Sequence, residues 1–391
     1  MKNTENRRFG RKLTAGLLAL TIAFSTAAGF GADYHTVTAE AATTTEKAQK
    51  IIDGMTTEEK VAQLFFITPE ALTGYKKVYQ TGDVTKKAYS ANPVGGIIYF
   101  SQNLISLKQT KAMISGLQDY SEQTTGLPLF FGVDEEGGLV KRIAGNKAFS
   151  VKDIGDASAI GAAGSTKACQ QDYAYVGKYL ADLGFNVDFA PDADVKTSVS
   201  TADIKRRSFS SNAATAAAFV AAAVKGLQST GVSACAKHFP GLGYSKTDTH
   251  TGKSVISRTR KQLLAKEMKT FQSAISAGCD FIMVGHISDT ALTGDQTPAS
   301  LSSVVITDLL RKKLGYQGIV ITDSQSMGAI VDRYGAGKAA VMSIQAGADM
   351  VLMPKSYSTA YKAVLAAVKS GKISEERLNE ALLHIVKVKL A

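Results

Sequence analysis

The chain has few cysteines: Cys169, Cys235 and Cys279 are the three among 391 residues. An odd number at wide spacing excludes a disulfide framework, and no C-x-x-C pair offers a structural metal or a redox centre. Each lies in an apolar or helical stretch, where a buried free thiol is the expected state. His-x-x-x-His spacing is also missing, so neither a metal nor a cofactor is expected. No block of lysine and arginine interleaved with aromatics appears, and nucleic acid is not an expected partner. The chain also lacks a low-complexity tract, an internal repeat or a heptad pattern. Its one long apolar run lies near the N-terminus.

What is present suits a folded soluble protein: 45% hydrophobic and 20% charged residues, with a net charge of +11. Lys2, Arg7, Arg8, Arg11 and Lys12 precede the apolar run from Leu13 to Phe30, and Ala39-Glu40-Ala41 supplies an A-x-A cleavage site. Residues 1–41 therefore read as a signal peptide; Gly, Ser and Thr dilute the run, which argues against a retained membrane anchor. Arg7-Arg8-Phe9 hints at a twin-arginine route. No cysteine follows the run, so a lipid anchor at the cleavage site is not expected. The remaining chain, 42–391, stays basic, either for solubility or to meet an anionic surface such as a cell wall.

From Thr43 onward, apolar strand-like runs alternate with amphipathic stretches. The strand candidates are Leu64–Ile67, Gly96–Phe100, Leu129–Val133, Val187–Ala190, Ser233–His238, Phe281–Gly285, Ile319–Thr322 and Met350–Met353. Helices are expected between them, among them Leu107–Glu122, Ala168–Leu183, Ala213–Leu227, Lys261–Ala277 and Ser303–Leu314, and Glu375–Leu390 closes the chain. Such alternation predicts parallel strands with helices outside, and the number of units suits a single (β/α)₈ TIM-like barrel. A doubly wound open sheet is the competing reading. Polar residues collect at the strand ends, where barrels place their chemistry: Asp134-Glu135-Glu136, Asp192, Asp194, Lys237-His238, His286 and Asp323.

Asp323 ends an apolar strand, so its carboxylate stands at the barrel mouth, where it could attack an anomeric carbon. A helix N-cap is the plainer role for such a residue. Asp134 ends another strand before paired glycines and could bond sugar hydroxyls; a surface turn is equally compatible. Lys237 and His238 should point to opposite faces of a strand unless a rim relaxes it. Asp248-Thr249-His250 places a carboxylate beside an imidazole, the makings of a general acid/base pair. Arg207 could bond a substrate oxygen or be a solvated charge. His286 ends a strand and could line the same mouth or serve structure.

Taken together these residues resemble one family. D-E-E-G-G-x-V-x-R spans Asp134 to Arg142, F-x-P-D-x-D-V holds Asp192 and Asp194, and R-S-F begins at Arg207. K-H-F-P-G-x-G-x4-D-x-H runs from Lys237 to His250, followed by P-A-S-L-S at Pro298 and I-T-D-x-x-x-M-G-A-I at Ile321. The chain from about Thr56 to its end resembles the bacterial β-N-acetylglucosaminidase (β-N-acetylhexosaminidase) branch of glycoside hydrolase family 3. The resemblance implies a catalytic barrel and a retaining exo-glycosidase that releases terminal N-acetylglucosamine through a covalent glycosyl-enzyme. It places Asp323 as nucleophile, His250 as acid/base and Asp248 as its partner. Asp134, Arg207, Lys237 and His238 fall on positions that hold the sugar, with His286 a further candidate. Amino-sugar glycosides, muropeptides among them, are the implied partners, and the protein is expected to be secreted or cell-wall associated. Leu242 departs from the family's usual His and is expected to alter the loop or the aglycone side. Glu135, Thr249 and Ser324-Gln325 are further departures. Competing readings are a β-glucosidase or xylosidase of the same family, a metal-dependent hydrolase, and a non-catalytic wall-binding protein on the same barrel.

Overall fold

In a computed structural model of the protein, the described residues are 32–247 and 252–391. Asp248 and His250 lie outside them. The chain divides into two compact units, Met1–Thr43 and Thr44–Ala391. Among the described residues no helix is long and apolar enough to cross a membrane.

The second unit is built on eight parallel strands. In chain order they are β1 (Phe65–Ile67), β2 (Gly96–Ile98), β3 (Phe130–Val133) and β4 (Val187–Asp188). They continue with β5 (Ser233–Phe239), β6 (Phe281–Val284), β7 (Ile319–Thr322) and β8 (Val351–Leu352). Each of β1 to β6 pairs with the next, and β8 pairs with β1 through Phe65 opposite Val351. The seam between β7 and β8 is closed by a parallel bridge of Ile321 with Met350, where the Thr322 N–H donates to the Met350 carbonyl at 3.1 Å. The barrel expectation therefore holds, and the open-sheet alternative does not. All eight expected strands are present: six are trimmed by a residue or two, Ile319–Thr322 keeps its expected bounds, and the expected Ser233–His238 extends one residue to Phe239.

The barrel interior is filled by aromatic rings. Phe66 lies 5.2 Å from Phe189 and 6.4 Å from Phe130, which meets Phe281 at 5.2 Å. The Phe66 ring explains two strand glycines. A Cβ at Gly96 would come within 2.5 Å of it and one at Gly132 within 2.8 Å, so neither position has room for a side chain. At the N-terminal end the last helix, Glu375–Leu390, sends Lys389 under the barrel. Its ammonium sits 5.0 Å over the Phe130 ring and donates to Gln63 at 2.9 Å.

Helices alternate with the strands as the pattern predicts, with two differences. The expected helix Lys261–Ala277 is broken into Arg260–Ala265 and Met268–Ser276 at Lys266, whose φ of −133° leaves the helical region. The segment Val304–Lys313 winds more widely than an α-helix, and the Leu314 N–H reaches back five residues to the Leu309 carbonyl at 3.0 Å.

Just before β8, Asp349 is fully buried and ties that end of the barrel together. It accepts from the Val320 N–H at 2.8 Å, from Arg377 at 2.6 Å and from Arg311, with His384 at 3.1 Å. Burial alone would raise its pKa; the charges of Arg311 and His384 override this and hold it well below the usual carboxylate range. A depressed carboxylate contributes stability above its unfolded pKa and loses it as pH falls. Asp349→Ala leaves Arg311 without its counter-charge and Arg377 with Glu380 alone. It should cost about 3–5 kcal/mol in denaturant unfolding at pH 7; a loss under about 1 kcal/mol would contradict this role.

Candidate active site

The C-terminal rim of the barrel opens into a cleft of about 360 Å³, lined by Asp134, Glu136, Arg207, Lys237, His238 and Asp323 among others. Asp134 and Glu136 come from the loop after β3, Lys237 and His238 from β5, and Asp323 follows the last residue of β7. Arg207 is the last residue of the short helix Ala202–Arg207.

At the centre is Glu136. Its carboxylate accepts two parallel bonds from the Arg207 guanidinium, both 2.8 Å, and meets the Lys237 ammonium at 2.7 Å. Burial would raise its pKa, but Arg207 and then Lys237 hold it at about 2. The Lys237 ammonium also donates to Asp134 at 2.8 Å, and Arg142 stands 3.8 Å from the other Asp134 oxygen. Both carboxylates outweigh the burial of Lys237 and keep it charged.

The acidic run Asp134-Glu135-Glu136 thus splits into separate roles. Asp134 faces the cleft. Glu135 turns away and accepts from the backbone N–H groups of Arg142, Ile143 and Ala144 and from the Tyr179 hydroxyl at 2.8 Å, shaping the loop. The glycines that follow serve packing rather than ligand approach: at Gly138, where φ is 56°, a Cβ would collide with Asp156.

Lys237 and His238 both line the cleft, although successive strand residues face opposite ways. Their peptide bond is cis, and the pairing register with β6 shifts between Lys237 and Phe239. The His238 ring is sandwiched in polar contacts: Nδ1 is 2.9 Å from Asp194 and Nε2 is 3.4 Å from Arg207. Burial, and after it the Arg207 charge, lowers its pKa to about 4. The ring is therefore neutral at pH 7, with the Nδ1–H donating to Asp194 and Nε2 left as an acceptor. Behind it, burial and then the charge of Asp194 push Asp192 up to about 8, and burial pushes Asp194 up to about 7. Two buried acids this close share a proton near neutrality. Asp192, Asp194 and His238 each offer a ligand atom within 4.8 Å of one another. A cation there would displace the Arg207 guanidinium, which already stands 3.4 Å from Asp192.

Asp323 accepts from the Ser324 N–H at 2.7 Å, and its own N–H donates to the Val284 carbonyl. His286 is buried behind this turn. Its Nε2 donates to the Ser324 carbonyl at 2.8 Å and its Nδ1 accepts from the Ser300 hydroxyl at 2.7 Å. It buttresses the turn and is not among the residues that line the cleft. Leu242 is buried, and its N–H donates to Asp194 at 2.5 Å. Its side chain belongs to the hydrophobic core cluster. Glu136, Asp192 and Asp194 were not singled out as binding residues from the sequence. Their signal was the cluster of acids at the ends of β3 and β4.

Residues 56–388 match the glycosyl hydrolase family 3 N terminal domain. The chain is 34% identical over 323 residues to beta-hexosaminidase A of Pseudoalteromonas piscicida, which covers 76% of this chain and 53% of the relative. It is 28% identical over 341 residues to a beta-N-acetylglucosaminidase/beta-glucosidase of Cellulomonas fimi, with 85% of this chain and 57% of that protein covered. The chain thus spans little more than half the length of these curated relatives. Among solved structures, a glycoside hydrolase family 3 beta-N-acetylglucosaminidase from Paenibacillus sp. str. FPU-7 superimposes with a TM-score of 0.81 at 34% identity, covering 86% of this chain and 62% of that one.

The low pKa of His238 has a direct readout. A histidine depressed from its ordinary 6.5 contributes stability above that pH and loses it as pH falls through about 4. The His238 ring nitrogens should keep the chemical-shift pattern of a neutral imidazole from about pH 5.5 to 8 by NMR; an imidazolium pattern appearing with a midpoint near 6.5 would contradict the burial and the Arg207 contact.

Proposed function

The chain belongs to glycoside hydrolase family 3, and from that membership we propose that it is a retaining exo-β-N-acetylglucosaminidase acting on cell-wall fragments or related amino-sugar glycosides. The observation that carries this reading is the convergence on one cleft of a strand-end carboxylate, Asp323, with Asp134, Lys237, Arg207 and His238. These are groups that can surround a single sugar. Lys237 and Arg207 are held charged by buried carboxylates and offer donors, Asp134 offers an acceptor, and the neutral Nε2 of His238 can accept from a hydroxyl.

In this reading a carboxylate oxygen of Asp323 bonds to the anomeric carbon as the bond to the leaving oxygen breaks. His250, outside the described residues, gives that oxygen its proton, with Asp248 as its partner. Water then returns a proton to His250 as its oxygen bonds the anomeric carbon and Asp323 departs. Two displacements retain the configuration. The basic, apolar leader that ends at Ala39-Glu40-Ala41 supports export as a signal peptide. Because the Cellulomonas fimi relative bears both activities in its name, β-glucosidase action is the second reading.

Asp323→Ala should lower turnover of 4-nitrophenyl N-acetyl-β-glucosaminide by at least about 10⁴-fold while circular dichroism stays unchanged. Retained turnover would sink the nucleophile assignment. The wild-type protein should prefer this substrate to the β-glucoside, and NMR should show the β-anomer of N-acetylglucosamine first. Preference for the glucoside would favour the second reading, and an α-anomer first would rule out retention.

A further inference from the structure

A second concavity, of about 410 Å³, lies in the connection between β1 and β2. It is lined by Tyr75, Lys77, Tyr79, Val84 and their neighbours, and none of these lines the cleft. Tyr75 is 56% exposed and Tyr79 45%. Of the ten large apolar or aromatic side chains that stand exposed among the described residues, five fall on this connection or the next one: Tyr75, Tyr79, Val84, Ile105 and Leu107. Exposed apolar residues scattered singly are ordinary, whereas a gathering of them marks an interaction surface.

Buried polar bonds hold the tyrosines out. The Glu70 carboxylate accepts from the Val78 N–H at 3.1 Å and from the Asn103 amide at 2.7 Å. Asn103 is fully buried, and its amide also donates to the Val78 carbonyl at 2.7 Å. The Gln109 amide donates to the Tyr79 carbonyl and, at 3.1 Å, to that of Asn103. Val78 is thus buried and fixed at both backbone groups, with Lys77 and Tyr79 exposed on either side of it. A ring carried on a fixed backbone loses little freedom on meeting a partner, so this loop is built to bind.

Charge follows the same surface. In residues 74–91, Lys76, Lys77, Lys86 and Lys87 are exposed against a single exposed acid, Asp83. Among the described residues none of the four lysines has an ion pair, and two of them lie near rings: Lys77 at 6.0 Å from Tyr79 and Lys86 at 5.5 Å from Tyr120. The fold therefore presents aromatic faces and unpaired cations side by side.

We propose that this surface docks the protein on an insoluble glycan whose strands carry carboxylates, the peptidoglycan of a cell wall. Tyr75 and Tyr79 stack on its sugar rings, and Lys76 and Lys77 meet the carboxylates of its attached peptides. Charge complementarity selects this partner: a neutral glycan leaves the lysines unrewarded, and a small anion leaves the rings unused. The choice of partner rests on the wall-fragment reading, but docking needs no turnover, so either can fail without the other.

Sedimentation of the full chain with insoluble peptidoglycan, freed of other wall polymers and kept on ice, tests the docking surface. The protein should pellet with the glycan at low salt and be released at high salt. K76Q/K77Q should weaken binding about 2- to 10-fold, the effect of two exposed ion pairs. Y75S/Y79S should weaken it by at least about 5-fold through the loss of two ring contacts. Both variants should keep the circular dichroism of the wild-type protein and its turnover of 4-nitrophenyl N-acetyl-β-glucosaminide, since neither alters the cleft. No pelleting, equal pelleting with neutral chitin, or binding unchanged in either variant overturns the docking surface. Capture by anionic lipid vesicles in place of peptidoglycan overturns it as well and assigns the patch to a membrane. If the aryl glycoside is not cleaved, the glycosidase reading fails and sedimentation still decides the docking.

Discussion

The active-site rim depends on one buried interaction, the Glu136 carboxylate held between Arg207 and Lys237. A carboxylate removed from water is costly unless its partners are close and well aligned. Here a bidentate guanidinium and an ammonium satisfy it. The loop after β3, the helix after β4 and strand β5 can reach that geometry only by converging at one point. Once they converge, Lys237 is in place to hold Asp134, and Arg207 is in place to face His238 and Asp192. The side chains assigned to the sugar are those already locked by this network, which is how a binding site avoids reorganising when substrate arrives.

The opposite end of the barrel repeats the arrangement for a different purpose. Asp349 gathers Arg311, Arg377 and His384 beneath the β7–β8 seam, and Lys389 plugs the floor over Phe130. One buried carboxylate closes the barrel and the other arranges a mouth. This matches the division in such barrels between a stabilising N-terminal face and a chemical C-terminal face. Between them the rings of Phe66, Phe130 and Phe189 fill the interior, so the cleft has a solid base.

Much of this was legible because parallel barrel strands are buried on both faces and read as short unbroken apolar runs. Ile319–Thr322 ending in Asp323 is the clearest case. What did not show was the division of labour inside a run of like residues. Asp134, Glu135 and Glu136 have similar chemistry, and only the fold sends one to the cleft, one to a loop backbone and one to an ion pair. His286 looked like a cleft residue because it ends a strand; the Ser300 hydroxyl and Ser324 carbonyl claim both its nitrogens. The helix that carries Arg207, Ala202–Arg207, is too short to leave a periodic trace in the sequence. The break at Lys266 escaped for the opposite reason, since the apolar spacing runs through it.

The central claim is that this rim exists to attach a sugar to Asp323. Rapid acid quenching of the protein during turnover of an activated aryl N-acetyl-β-glucosaminide, followed by peptide mass spectrometry, tests it most directly. The account predicts one N-acetylhexosaminyl adduct on the peptide containing Asp323, formed before free sugar appears. An adduct on another residue, or turnover with no adduct at any quench time, would contradict it.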